Sequence, residues 1–110
     1  TEYTIDLKVR KEIGDDAVFN NKINTLRTKI DVIDHQLIEI LGKRMLVADG
    51  IGQLKKEHNV AVLQSKRWNE ILGKMILQGE EKNLSEEFIL RVFKAIHQES
   101  INHQEKIINH

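Results

Sequence analysis

The chain of 110 residues has no cysteine, no proline and few aromatic side chains: one Trp, one Tyr and three Phe. Without cysteine there is no disulfide, no thiolate nucleophile and no cysteine metal site, a composition that suits a reducing cytoplasm. Without proline no helix is interrupted from within. Excess charge is missing too, since 17 Lys and Arg face 17 Asp and Glu. No global field therefore draws the chain to nucleic acid or to a membrane surface. No apolar run approaches the ~20 residues that span a bilayer, and no signal peptide is visible. The expected location is cytoplasmic, and the length suits one domain.

What the sequence does have is a period. Between Asn21 and His58, apolar residues recur at Ile23, Leu26, Ile30, Ile33, Leu37, Ile40, Val47, Ile51 and Leu54. Spacings of three and four, sustained over nearly five heptads, predict one long helix with a partner along its seam. At ~1.5 Å per residue such a helix is roughly 57 Å long, against a radius of gyration near ~13 Å for a compact domain of this size. A second chain is expected to cover it, which makes the protein a homo-oligomer.

Residues 1–19 do not share the period. Tyr3, Ile5 and Leu7 alternate with polar residues, and Gly14-Asp15-Asp16 reads as a turn. This stretch is expected to be a linker or the remnant of an upstream domain, followed by a helical domain over residues 20–110. The start on Thr1 rather than Met fits a piece of something longer. The long helix is expected to begin near Asn20 or Asn21, either of which can cap it. Gly42, Gly50 and Gly52 lie inside it, each unfavourable by about 1 kcal/mol relative to Ala. They imply close helix packing or, as the alternative, room for a ligand.

Residues 59–64 lose the pattern and read as a loop that tucks Val60 and Val62 inward. Ser65 then caps a second helix, with Trp68, Ile71, Leu72, Met75 and Ile76 on one face and Gly79 as its stop. A polar turn over Glu80 to Asn83 leads to a third helix. Ser85 is its N-cap, Glu86 and Glu87 occupy the first turn, and Leu84 and Ile89 stand as a hydrophobic staple. Its inner stripe is Ile89, Val92, Phe93, Ile96, Ser100, Gln104 and Ile107. The expected fold is all-α: a three-helix subunit with one very long first helix.

Function is to be sought where polar residues take apolar places. Arg44 occupies a seam position. A guanidinium held from water needs an anion, which is either a neighbour such as Asp49 or Glu39, or a ligand. Lys55 lies eleven residues on, nearly on the same face and about 16 Å away. The two either flank a small molecule or are separately solvated. Ser100 and Gln104 continue the apolar stripe of the third helix as polar groups, or form its wet end. Arg67 either turns inward at the start of the second helix or faces water. Arg27 is about 25 Å before Arg44 along the same rod, too far to share one small ligand within a chain. Two first helices crossing antiparallel about a two-fold axis near residue 38 would set Arg27 of one chain opposite residue 49 of the other, between Arg44 and Lys55. The result is two symmetric cationic pockets per dimer, each suited to a small dianion.

The stretches LRTKIDVIDHQLIEILGKRM, IGQLKKEHNVAVLQSKRWNEIL and FILRVFKAIHQESINHQ together resemble the helical (type II) chorismate mutases, over roughly residues 21–108. The resemblance implies an intertwined, domain-swapped all-α homodimer with no cofactor and no metal. It implies a site built from Arg27 of the partner chain with Arg44, Lys55, Gln64, Arg67, Ser100 and Gln104 of one chain. In that family the arginines and the serine hold the two carboxylates of the substrate, while the lysine and the glutamine reach the ether oxygen of the breaking bond. Arg44, Lys55 and Gln104 would then be the catalytic members. Two positions depart from the family pattern: acidic residues that contact the ring hydroxyl are replaced by Gln64 and Trp68. Gln64 can donate or accept, whereas Trp68 offers one donor and is expected in the core or the pocket wall.

The implied reaction is the pericyclic rearrangement of chorismate to prephenate. The alternatives are an isochorismate pyruvate-lyase on the same fold, or a non-catalytic dimerisation or regulatory module. A metal site is not expected, since His97 and His103 are six apart and face different ways, and His35, His58 and His110 lack ligand-spaced partners. Family members are often joined to shikimate or aromatic amino-acid enzymes. The stretch from Asp15 to Asn24 resembles the linker after a deoxyheptulosonate-phosphate synthase domain.

Overall fold

The computed structural model describes residues 16–109. They form three α-helices: α1 (Ala17–His58), α2 (Ser65–Glu81) and α3 (Glu86–Ile108). Among the described residues there is no strand, and no helix is long and apolar enough to cross a membrane. The Tyr3–Leu7 alternation lies outside the described residues. The chain divides into two compact units, one ending at Ile40 and one running from Leu41 onward.

In the first unit the described residues are Asp16 and the opening part of α1. The helix begins at Ala17, before the expected Asn20 or Asn21. Its cap is Asp16, whose Oδ1 accepts from the Val18 amide at 2.8 Å while its carbonyl accepts from Asn20. A carboxylate suits this place because helix N-termini carry partial positive charge. Asp in a Gly-Asp-Asp run serves a turn or a cap equally well, so the sequence alone does not mark Asp16 as the cap. Leu26, Ile30, Ile33, Leu37 and Ile40 leave more than half of their surface open.

In the second unit the remainder of α1 lies beside α3, and α2 with α3 forms an antiparallel hairpin. Contacts advance together along α1 and α3, from Arg44–Ser100 to Lys56–Ile107, so this pair runs parallel. Contacts between α2 and α3 run oppositely, from Gly79–Ile89 to Trp68–His97. Gly52 allows the close approach of α1 to α3, since a Cβ there would stand 3.0 Å from the Gln104 Cα. Gly42 and Gly50 meet nothing within 4 Å, so close packing within the chain explains only one of the three. Among the described residues the buried apolar side chains are Ala48, Ile89 and Ile101, a thin core. Val47, Ile51 and Leu54 on α1 remain exposed.

Both α1 and α2 end on an asparagine rather than a glycine. Asn59 (φ 55°) and Asn83 (φ 61°) adopt the left-handed conformation. The Val60 and Leu84 amides reach back to the carbonyls of Lys55 and Gly79, and Asn59 and Asn83 to those of Lys56 and Glu80. This doubled closure satisfies the last free carbonyls of a helix. Gly79 is therefore not the stop of α2 but lies within it, where a Cβ would fall 2.6 Å from Ile89 Cγ1. Likewise Gln64, not Ser65, is the N-cap of α2, and its side chain makes no capping bond. In the connecting loop Val62 is half-buried but Val60 stays exposed. Ser85 does cap α3, its Oγ accepting from the Phe88 amide at 3.2 Å.

Candidate functional site

The residues that broke the apolar pattern meet in one cavity. It lies within the second unit, has a volume of about 390 Å³, and is lined by Arg44 and Lys55 from α1, Gln64 from the loop, Arg67 and Trp68 from α2, and His97, Ser100 and Gln104 from α3, among others. Two of the three long cationic side chains, Arg44 and Lys55, are held by defined partners. Arg44 Nη1 donates to Ser100 Oγ at 2.6 Å. Lys55 Nζ donates to the Val62 carbonyl at 2.7 Å and to Gln104 Oε1 at 2.8 Å. Ser100 and Gln104 are the two buried polar side chains of the described chain, so the end of the α3 stripe is dry rather than wet.

The electrostatics follow from what is missing around these cations. Among the described residues no carboxylate lies within 4.0 Å of Arg44, Lys55 or Arg67. Asp49, a candidate counter-ion for Arg44, instead meets His103 Nδ1 at 2.8 Å, and Glu39 meets His35 at 3.1 Å. Burial and then the nearby Arg67 lower the Arg44 pKa. Burial alone lowers that of Lys55 from its ordinary 10.5. Desolvation disfavours the charged form, and here no fixed anion offsets it. Clustered, unneutralised cations in a half-dry cavity bind an anion more strongly than the same groups in open water.

Of the residues singled out from the sequence, Arg44, Lys55, Gln64, Arg67, Ser100 and Gln104 all line this cavity. Arg27 does not; it is exposed in the first unit. Two contributions escaped the sequence reading. The Val62 carbonyl steers Lys55, and a backbone acceptor leaves no mark in a side-chain pattern. His97 also lines the cavity, stacked on Trp68 with ring centroids 4.1 Å apart and planes inclined by 19°. His97 sits three residues before Ser100, one turn along the same face, and that spacing could have placed it. From the sequence, its imidazole is weighed only as a metal ligand. Among the described residues no cluster of three metal-ligating side chains is found.

An all-α chain with a long first helix, and a cavity carrying three cations and two buried neutral hydrogen-bonding groups, defines a narrow class of helical small-molecule proteins. The family model for chorismate mutase type II matches residues 26–105, and the chain belongs to that family. It is 33% identical over 89 residues to a bifunctional chorismate mutase/prephenate dehydratase of Buchnera aphidicola subsp. Acyrthosiphon pisum, covering 81% of this chain and 23% of the relative. It is 27% identical over 88 residues to the protein of the same name from Escherichia coli strain K12, covering 80% and 23%. The T-protein of Haemophilus influenzae is 27% identical over 82 residues, covering 74% and 22%. The chain thus spans about a quarter of the length of these relatives.

Proposed function

We propose that this chain is a chorismate mutase that rearranges chorismate to prephenate within a homodimer. The observation that carries the reading is the convergence of Arg44, Lys55 and Arg67, without a carboxylate partner, on one cavity also lined by buried Ser100 and Gln104. The substrate is a dianion that supplies the absent counter-charge. Arg44, with Ser100 at its side, and Arg67 clamp carboxylates. Lys55 and the Gln104 amide face the ether oxygen, where negative charge grows as the bond breaks. The reaction needs no nucleophile and no proton transfer. Catalysis reduces to confinement of the reactive diaxial conformer and fixed positive charge at the developing anion.

Arg27 comes from the partner subunit in this reading. The support is the open apolar seam from Leu26 to Ile40 and the thin core of the second unit, both of which a second copy would complete. The module works in the cytoplasm, alone or joined to another aromatic-biosynthesis enzyme. In such a fusion the stretch from Asp15 to Asn24 would be the linker after a deoxyheptulosonate-phosphate synthase domain.

A non-catalytic module would be expected to pair Arg44 and Lys55 with acids, and those pairs are absent among the described residues. An isochorismate pyruvate-lyase would use the same cage. Parallel assays of the purified chain with chorismate and isochorismate decide among the three. Prephenate from chorismate is expected. Pyruvate from isochorismate would favour the lyase, and turnover of neither would favour the module.

A further inference from the structure

The cavity holds four neutral polar side chains, and two are already engaged. Ser100 accepts from Arg44, and Gln104 Oε1 accepts from Lys55. Gln64 and His97 have no side-chain hydrogen bond among the described residues. They differ in how firmly they are held. Gln64 is exposed, in the loop before α2, whereas His97 is half-buried and its ring lies flat on Trp68. The stack leaves the ring edge, which carries both nitrogens, as the part that can hydrogen-bond.

We infer that His97, positioned by Trp68, is a specificity-determining residue whose imidazole binds the ring hydroxyl of the substrate. The inference rests on the mutase reading above. A hydroxyl donates and accepts at once, and a neutral imidazole offers one nitrogen for each role. The stack restricts ring rotation, so less freedom is lost on binding than with a flexible amide. A tryptophan at position 68 makes the arrangement possible: it fills the wall with a flat surface and removes acid from the place. The charges around His97 agree. Arg44 and Lys55 from α1 and Arg67 from α2 line the cavity with it, and Arg91 and Lys94 on its own helix line the adjoining groove; all are cationic. Burial first, then Arg44 and Lys55, lower its pKa from the ordinary 6.5, which favours the neutral ring.

The test is a cycle between the side chain and the substrate group. The full chain and its His97→Leu and His97→Gln variants are assayed with chorismate and with its analogue lacking the ring hydroxyl. Wild type is expected to prefer chorismate about tenfold in kcat/KM, the range of a neutral hydrogen bond. The preference should fall to within about twofold in His97→Leu and return in part in His97→Gln, which keeps a donor and an acceptor. Trp68→Leu should lower the preference as well, with little added by combining it with His97→Leu. A preference that survives in His97→Leu, or is absent in wild type, would overturn the assignment. If wild type rearranges neither compound, the mutase reading fails first and takes this inference with it.

Discussion

Replacing Lys55 by methionine isolates the electrostatic part of catalysis from folding. Lys55 Nζ spends two donors on fixed partners, the Val62 carbonyl and Gln104 Oε1. An ammonium has three donors, so one remains for the cavity. Methionine keeps much of the side-chain volume but removes the charge and that donor. By analogy with the loss of one oxyanion donor, the transition state should lose about 3 kcal/mol, a drop of ~100- to 1,000-fold in kcat. Stability should respond differently. The variant loses two hydrogen bonds worth roughly 1 kcal/mol each, but it also relieves the desolvation that lowers the Lys55 pKa. The melting temperature should therefore move by less than about 8 °C. Initial rates of chorismate loss and thermal melts by circular dichroism read the two effects separately. A variant that folds like wild type and keeps kcat within about threefold would refute the role given to Lys55.

Three further outcomes are expected. Because Lys55 must be charged and burial lowers its pKa, kcat/KM should fall with rising pH on the acid side of 10.5. The limb should lie higher in kcat, where a bound dianion favours the charged form, and a pH profile without this separation would contradict the cause. Gly79→Ala places a Cβ 2.6 Å from Cγ1 of buried Ile89. Overpacking by about 1–3 kcal/mol should exceed the helix-propensity gain of about 1 kcal/mol, and melting should show a net loss of stability. Gly52→Ala sets a Cβ 3.0 Å from the Gln104 Cα, displacing Gln104 relative to Lys55. Its kcat should fall about tenfold at unchanged helical content, and an unaltered kcat would contradict the positioning role.

The parts of the chain that the sequence revealed are those with a period. A seam repeated over nearly five heptads announced α1, and Ser85 followed by Glu86 and Glu87 announced the start of α3. Arg44, Ser100 and Gln104 were visible because each interrupts an apolar stripe, and Lys55 because it stands eleven residues from Arg44 on nearly the same face. The boundaries were harder to read because they depend on single residues with several uses. Asp16 was read as part of a turn, Gly79 as a stop though it serves close packing against Ile89, and the two asparagines that do end α1 and α2 were passed over. His97 was missed for another reason. Its place in the cavity could be read from its spacing to Ser100, but its stacking on Trp68, 29 positions away, leaves no mark in a local pattern. The glycine rule failed at position 79 because a missing Cβ can serve a neighbouring helix as readily as a left-handed turn.

The central claim is that two chains complete each cage, and mixed dimers test it directly. Arg27→Ala and Arg44→Ala chains should each be inactive as homodimers. Unfolded together and refolded at equal amounts, about half of the dimers should be mixed, by statistics. Each mixed dimer of a two-fold assembly has one site carrying both substitutions and one carrying neither. The mixture should therefore regain about a quarter of wild-type activity, half of the sites in half of the dimers. A mixture no more active than its two components would contradict the shared cage.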